Sequence, residues 1–247
     1  MTVERHESLT QHLKDLRTCL IKSVISILIF ACVAYYFSET IFDWLRQPAT
    51  KYLPNGGLVF THPMDKFMAH LKIAVFAGII GAAPFWLYQV WSFVAPGLYQ
   101  KEKKYAANFI FFGTFLFLTG VSFSYFLVLP TAFEFLFNFG STIDKPMITI
   151  SEYMEFVVQM SLMFGVSFEL PLILVMLGLT GIVTAAFLRK QRRVAYLILS
   201  VLSAFLTPTP DALSMFMMLI PMIFLFEVAI FLVARVEQKI PDAAEPI

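Results

Sequence analysis

Residues 91–105 read WSFVAPGLYQKEKKY and lie between two apolar runs, 67–91 and 106–129, each long enough to cross a bilayer. Pro96 lacks an amide hydrogen and Gly97 has the largest backbone freedom to lose, so no continuous helix passes through and the chain turns. Lys101, Lys103 and Lys104 surround a single carboxylate, Glu102. Basic loops stay on the inner side of a membrane, so this turn reads as a cytoplasmic hairpin. Glu102 itself has two readings. It is a solvated helix-start acid paired with its lysine neighbours, or a carboxylate for an arginine-rich ligand.

Composition places the hairpin in a membrane protein. Of 247 residues, 59% are hydrophobic and 14% charged, and 28 are Phe, giving a mean hydropathy of +0.76. The net charge is +1 and the basic residues are spread over loops, which points away from nucleic acid. Cys19 and Cys32 fall on one helical run, about 20 Å apart by the rise per residue, too far to pair. The first residues are too polar for a signal-peptide core and no small-residue cleavage site follows, so the first apolar run is expected to be retained.

Working outward, residues 8–20 begin with Ser8 and Gln11 as a capping box and place Leu9, Leu13, Leu16 and Leu20 on one stripe. This is expected to be an amphipathic helix on the cytoplasmic membrane surface, its polar side carrying His12, Asp15 and Arg17, leading into a first span at 21–37. Residues 38–66 read as an outer loop with a short interfacial helix over 40–46. In THPMD, Thr61 or His62 is read as a helix start with Pro63 at the first helical position and Asp65 in the first turn. The second span is 67–91, kinked at Pro84. The third, 106–129, is expected to end at Pro130, with a second outer loop over 131–151. Thr149 and Glu152 form a capping box before a fourth span at 153–179. The last two, 194–206 and 212–233, read as short, the former because about 20 residues are needed to cross and the latter because Pro221 and Glu227 interrupt it. The basic residues of the N-terminal stretch, the hairpin, the Arg189 to Arg193 cluster and the tail put both ends in the cytoplasm. The fold class is all-α, six spans in one polytopic membrane domain, with no repeat.

Polar residues inside the spans are costly and therefore informative. Glu169, in FGVSFELP, lies mid-span, where an acid costs roughly 2.5–3.5 kcal/mol and so should face protein or water. On a 3.6-residue wheel Glu155, Gln159 and Glu169 share one quarter of the circumference. A structural tie to a neighbouring helix is the alternative to a functional site. His6, His12, His62 and His70 have no metal-ligand spacing, and there is no nucleophile elbow or phosphate loop. Neither an enzyme nor a cofactor is expected.

The motifs HLKDLR (12–17), FVAPGLYQKEKK (93–104), FGVSFELP (164–171), RKQRR (189–193), LTPTPD (206–211) and IPMIFLFE (220–227), in this order, resemble the TatC family, the receptor subunit of the twin-arginine protein translocase. The resemblance implies six helices in a concave, glove-like bundle in the bacterial inner membrane. It implies no catalysis, export of folded proteins driven by the proton motive force, and a multi-subunit complex with TatA- and TatB-type single-span partners and with further copies of itself. Signal peptides bearing paired arginines would meet Asp15 and Glu102, since a guanidinium fork matches a carboxylate in a bidentate way that lysine cannot copy. Leu13, Leu16, Arg17, Phe93, Pro96, Leu98, Tyr99 and Lys101 would shape the platform around them. Asp15 stands where the family usually has Glu. Glu169, with Gln159, Thr207 and Asp211, would form the intramembrane polar patch that meets a partner helix, although Met215 follows Ser214 where the family often has Gln. A proton-coupled solute transporter using Glu169 is the rival reading and would show two related halves. A scaffold with purely structural acids is the third.

Overall fold

Within a bilayer only a helix or a closed barrel satisfies every backbone polar group, and the apolar runs of this chain fold as helix. The computed structural model describes residues 9–50, 57–94, 106–138, 147–208 and 211–237. Among these residues four stretches are long and apolar enough to cross a membrane: Leu13–Tyr36, Ala106–Asn138, Ile150–Leu179 and Ala212–Glu237. A fifth is the bent pair Asp65–Gly81 and Ala83–Phe93.

Helix α1, Leu9–Tyr36, is one unbroken rod of 28 residues. From Leu9 on, the amphipathic stretch and the first span form one helix: no Pro or Gly interrupts the run, and its rise of about 42 Å exceeds a core of about 30 Å, so its first turns extend beyond the bilayer. Helix α2, Ser38–Leu45, is the short interfacial helix, followed by a 3-10 turn at Gln47–Ala49. Two tyrosines pin this segment, Tyr125 donating to Trp44 O at 2.7 Å and Tyr153 to Leu45 O at 2.8 Å.

Helix α3, Asp65–Gly81, starts later than THPMD implies, because the Asp65 carboxylate is occupied by the Thr61 and His62 amides at 2.9 Å each. Helix α4, Ala83–Val94, leaves α3 at 59°. Pro84 lies in its first turn, and the Ile79 carbonyl before the bend accepts from Trp86 Nε1 at 3.1 Å. The bend is thus both imposed by proline and satisfied by a side chain.

Pro130 does not end the third span, and 131–138 is not loop. Helix α5, Ala106–Phe123, widens into a π turn at Ser124–Val128 and continues as α6, Leu129–Asn138. In the wide turn Leu129 N bonds to Ser124 O, five residues back. The ladder has changed register before the imide arrives, which lets the helix accept it. Thr149 caps α7, Ile150–Ser167, accepting from Glu152 N at 3.2 Å. Helix α8, Leu170–Leu179, follows a two-residue break at Phe168 and Glu169. Gly181, at φ 73, makes the turn toward α9, Ala185–Lys190. Helix α10, Arg192–Leu206, has 15 residues, about 22 Å and short of a full crossing as expected. Helix α11, Ala212–Glu237, is not short: it runs 26 residues straight through Pro221 and Glu227.

Small residues bring the helices close. A methyl on Gly78 of α3 would lie 2.8 Å from Ala31 of α1, and one on Gly120 of α5 would lie 2.6 Å from the Phe164 carbonyl of α7. The core between these seams holds Ile73, Phe117, Tyr153, Met154, Met160, Phe164 and Met218, while Leu28, Phe111, Phe115 and Phe205 point outward.

Candidate functional site

The site residues are fixed to the two ends and the middle of this bundle. At one end Val59 N donates to Ile148 O (3.1 Å) and Ile150 N to Val59 O (2.8 Å), joining the segments that precede α3 and α7. At the other end Ala185 N donates to Glu237 Oε1 at 2.7 Å, so the α8–α9 connection meets the end of α11. Because α1 packs antiparallel to α3, with Ser38 bonded to His70 and Phe30 against Gly81, the first turns of α1 point the same way as the end of α4.

Asp15 and Leu16 lie half-buried on those first turns of α1, while Leu13 and Arg17 are exposed. Asp15 has no ion-pair partner among the described residues. Phe93, half-buried, stands near the end of α4, at the same end of the bundle. Pro96, Leu98, Tyr99, Lys101 and Glu102 lie outside the described residues, as do Ser8 and the side chains of Gln11 and His12.

Glu169 sits at the α7–α8 break, inside the apolar stretch Ile150–Leu179, and is 6% exposed. Among the described residues its buried Oε1 has no hydrogen-bond partner. Its Oε2 lies over Gly113 of α5, where an added methyl would come within 3.4 Å of it and also meet Leu172 and Leu87. A glycine at that place leaves room for the carboxyl group between α5 and α8. An acid held in an apolar seam with an unused oxygen is costly, and such cost marks a functional candidate.

The expected stripe of Glu155, Gln159 and Glu169 does not form one buried face. The helix breaks at Phe168, which ends the 3.6-residue register, and Glu155 is an exposed residue bound to Lys72 at 2.7 Å. Gln159 is half-buried on α7. Thr207 is buried, but its hydroxyl is spent on Ser203 O at 3.0 Å. Asp211 starts α11, its Oδ1 accepting from Ser214 N at 2.7 Å.

The sequence marks Glu227 only as an interruption of the last span and leaves its partners unforeseen. Glu227 of α11 accepts from Arg192 at 2.6 Å and from the Tyr196 hydroxyl at 2.6 Å, tying α10 to α11. The signal was present: Glu227 is an acid in an apolar run, and such a residue calls for a named partner.

With this arrangement in view, the family model described as Sec-independent protein translocase protein (TatC) matches residues 11–221. The chain belongs to the TatC family. It is 40% identical to the TatC of Carboxydothermus hydrogenoformans over 232 residues, 94% of this chain and 95% of that one. It is 35% identical to the TatC of Aquifex aeolicus, covering 91% and 93%. Among solved structures it matches a crystal structure of the twin arginine translocase receptor TatC with a TM-score of 0.78 and 35% identity, over 90% of this chain and 97% of that one. A second, in DDM, gives 0.79. The chain is therefore a multi-pass membrane protein and a non-enzymatic receptor component of the twin-arginine translocase, part of a multi-subunit complex.

Proposed function

We propose that the chain receives twin-arginine signal peptides at the cytoplasmic face of the inner membrane, with Asp15 and Glu102 as the carboxylates for the two guanidinium groups. Leu13, Leu16, Arg17, Phe93, Pro96, Leu98, Tyr99 and Lys101 form the surrounding platform. The observation that carries this reading is the half-buried Asp15, without an ion-pair partner among the described residues, at the same end of the bundle as Phe93 near the end of α4. A carboxylate with no cation among the described residues is a ready acceptor for an incoming guanidinium. The basic residues Lys14, Arg17 and Lys22 of α1 and Arg189, Lys190 and Arg193 near the α8–α9 connection belong to this end. They support an inner position for it, with six passes and both termini in the cytoplasm.

The second half of the proposal concerns recruitment. Glu169, with Gln159, Thr207 and Asp211 on neighbouring elements, is the polar face offered to a TatA- or TatB-type helix, and passage of the folded cargo draws on the proton motive force. Further copies of the chain complete the receptor. The Glu169 Oε1 supports this reading, since a polar group on an incoming helix would supply the bond that no described residue makes.

A photo-reactive phenylalanine at Leu16 or Phe93 tests the platform. It should crosslink to a twin-arginine signal in native membranes and lose that adduct when excess twin-arginine peptide, but not twin-lysine peptide, is added. Equal competition by both peptides would overturn the assignment.

A further inference from the structure

Helices α8 and α10 each pack on α11, and between them a cleft of about 680 Å3 remains open. Leu170 and Leu174 form one wall, Ala195 and Leu199 the other, and Met222 and Phe226 the floor. Its lining is apolar except for Ser167 and Gln191. Gln191 marks the end that opens beside the basic cluster, and there Arg189, Lys190 and Arg193 are exposed and make no ion pair among the described residues. Arg192, the remaining cation of the cluster, is already held by Glu227.

We propose that this cleft is the binding site of one anionic phospholipid, its acyl chain between α8 and α10 and its phosphate against Arg189, Lys190 and Arg193. Volume and charge point to that occupant together. Taking a methylene to fill about the same 30 Å3 as a water molecule, the cleft has room for about 20 of them, the scale of one acyl chain. A helix roughly 10 Å across and as long as α10 would need more than twice the space. Three exposed cations that flank the lining residues Leu188, Gln191 and Val194 in sequence, and make no ion pair among the described residues, suit a negative headgroup at that end of the slot, as basic pockets between membrane helices do elsewhere. Their long side chains reach the headgroup level from the helix end. A lipid seated there would brace α10, which is too short to span the bilayer unaided and is held to α11 by few polar contacts besides those of Glu227.

The test uses the full chain purified in mild detergent, titrated with dioleoyl phosphatidylglycerol or dioleoyl phosphatidylcholine and read by native mass spectrometry. One phosphatidylglycerol should bind, and phosphatidylcholine about tenfold more weakly or worse. Ala195→Trp, which fills the cleft, should abolish that site, and Val201→Trp, on the lipid-facing side of α10, should not. The triple change Arg189→Gln, Lys190→Gln, Arg193→Gln should erase the preference for the anionic lipid while leaving the fold intact, since all three are exposed. Should Ala195→Trp fail to fold, the triple variant decides alone. A benzophenone at Ile198 in native membranes should give a lipid adduct. Unchanged phosphatidylglycerol binding in the triple variant, equal binding of both lipids, or an adduct consisting of another polypeptide with no lipid would each overturn the proposal.

Discussion

At the scale of single residues, Asp15 and Glu169 illustrate opposite uses of a carboxylate. Asp15 is half-buried on the first turns of α1 with no ion-pair partner among the described residues, and on the proposed reading it accepts a guanidinium from the signal peptide. Converting it to asparagine removes a charge-assisted bond of about 1.5–3 kcal/mol, so Asp15→Asn should weaken binding of a twin-arginine peptide by roughly 10- to 100-fold. Asp15→Glu, which restores the family's usual length, should match or exceed the parent protein; fluorescence anisotropy with a labelled peptide measures both. Glu169 is buried, fitted over Gly113. Its place in the middle of an apolar run made it legible from sequence, because insertion cost alone flags such a residue. That the Thr207 hydroxyl is spent on Ser203 of its own helix was not legible: whether a threonine hydroxyl turns to its own helix or to a neighbour depends on packing.

The helices themselves were legible wherever backbone chemistry dominates. Pro84 bends its helix because its ring fixes the backbone locally, and Thr149 caps α7 through a bond made within one turn. Pro130 misled for a tertiary reason. The π turn before it is stabilised by Tyr125 reaching Trp44 more than eighty residues away, beyond any local pattern. The Arg192–Glu227 tie is hidden likewise, its partners being 35 residues apart. The closest seam is between α5 and α7, where Gly120 faces the Phe164 carbonyl and the Gly165 Cα. Backbone atoms cannot rotate away, so Gly120→Val should separate these helices at a cost of about 3 kcal/mol or more. In a detergent thermal-stability assay it should lower the melting temperature clearly, whereas Thr119→Val, on the exposed neighbouring position, should change little.

For the whole molecule, the joined pairs at the two ends make a claim about sidedness. Val59 and Thr149 share one end, and Ala185 and Glu237 the other. With Cys19 and Cys32 replaced by serine, a membrane-impermeant maleimide applied to intact spheroplasts should label Val59→Cys and spare Ala186→Cys, which should react only after lysis. The reverse pattern would remove the cytoplasmic platform altogether. The hairpin that organises the sequence reading, with Glu102, Pro96, Leu98, Tyr99 and Lys101, lies outside the described residues, so its part in recognition rests on its residue chemistry and on the end of the bundle from which it departs. Its test must therefore be energetic. The central claim, that paired guanidiniums are held by Asp15 and Glu102, is tested most directly by measuring the dissociation constants of twin-arginine and twin-lysine peptides for the parent chain and for the Asp15→Asn, Glu102→Gln double variant. The account predicts a preference for arginine of at least about tenfold in the parent that collapses toward unity in the variant; a preference that survives in full would contradict it.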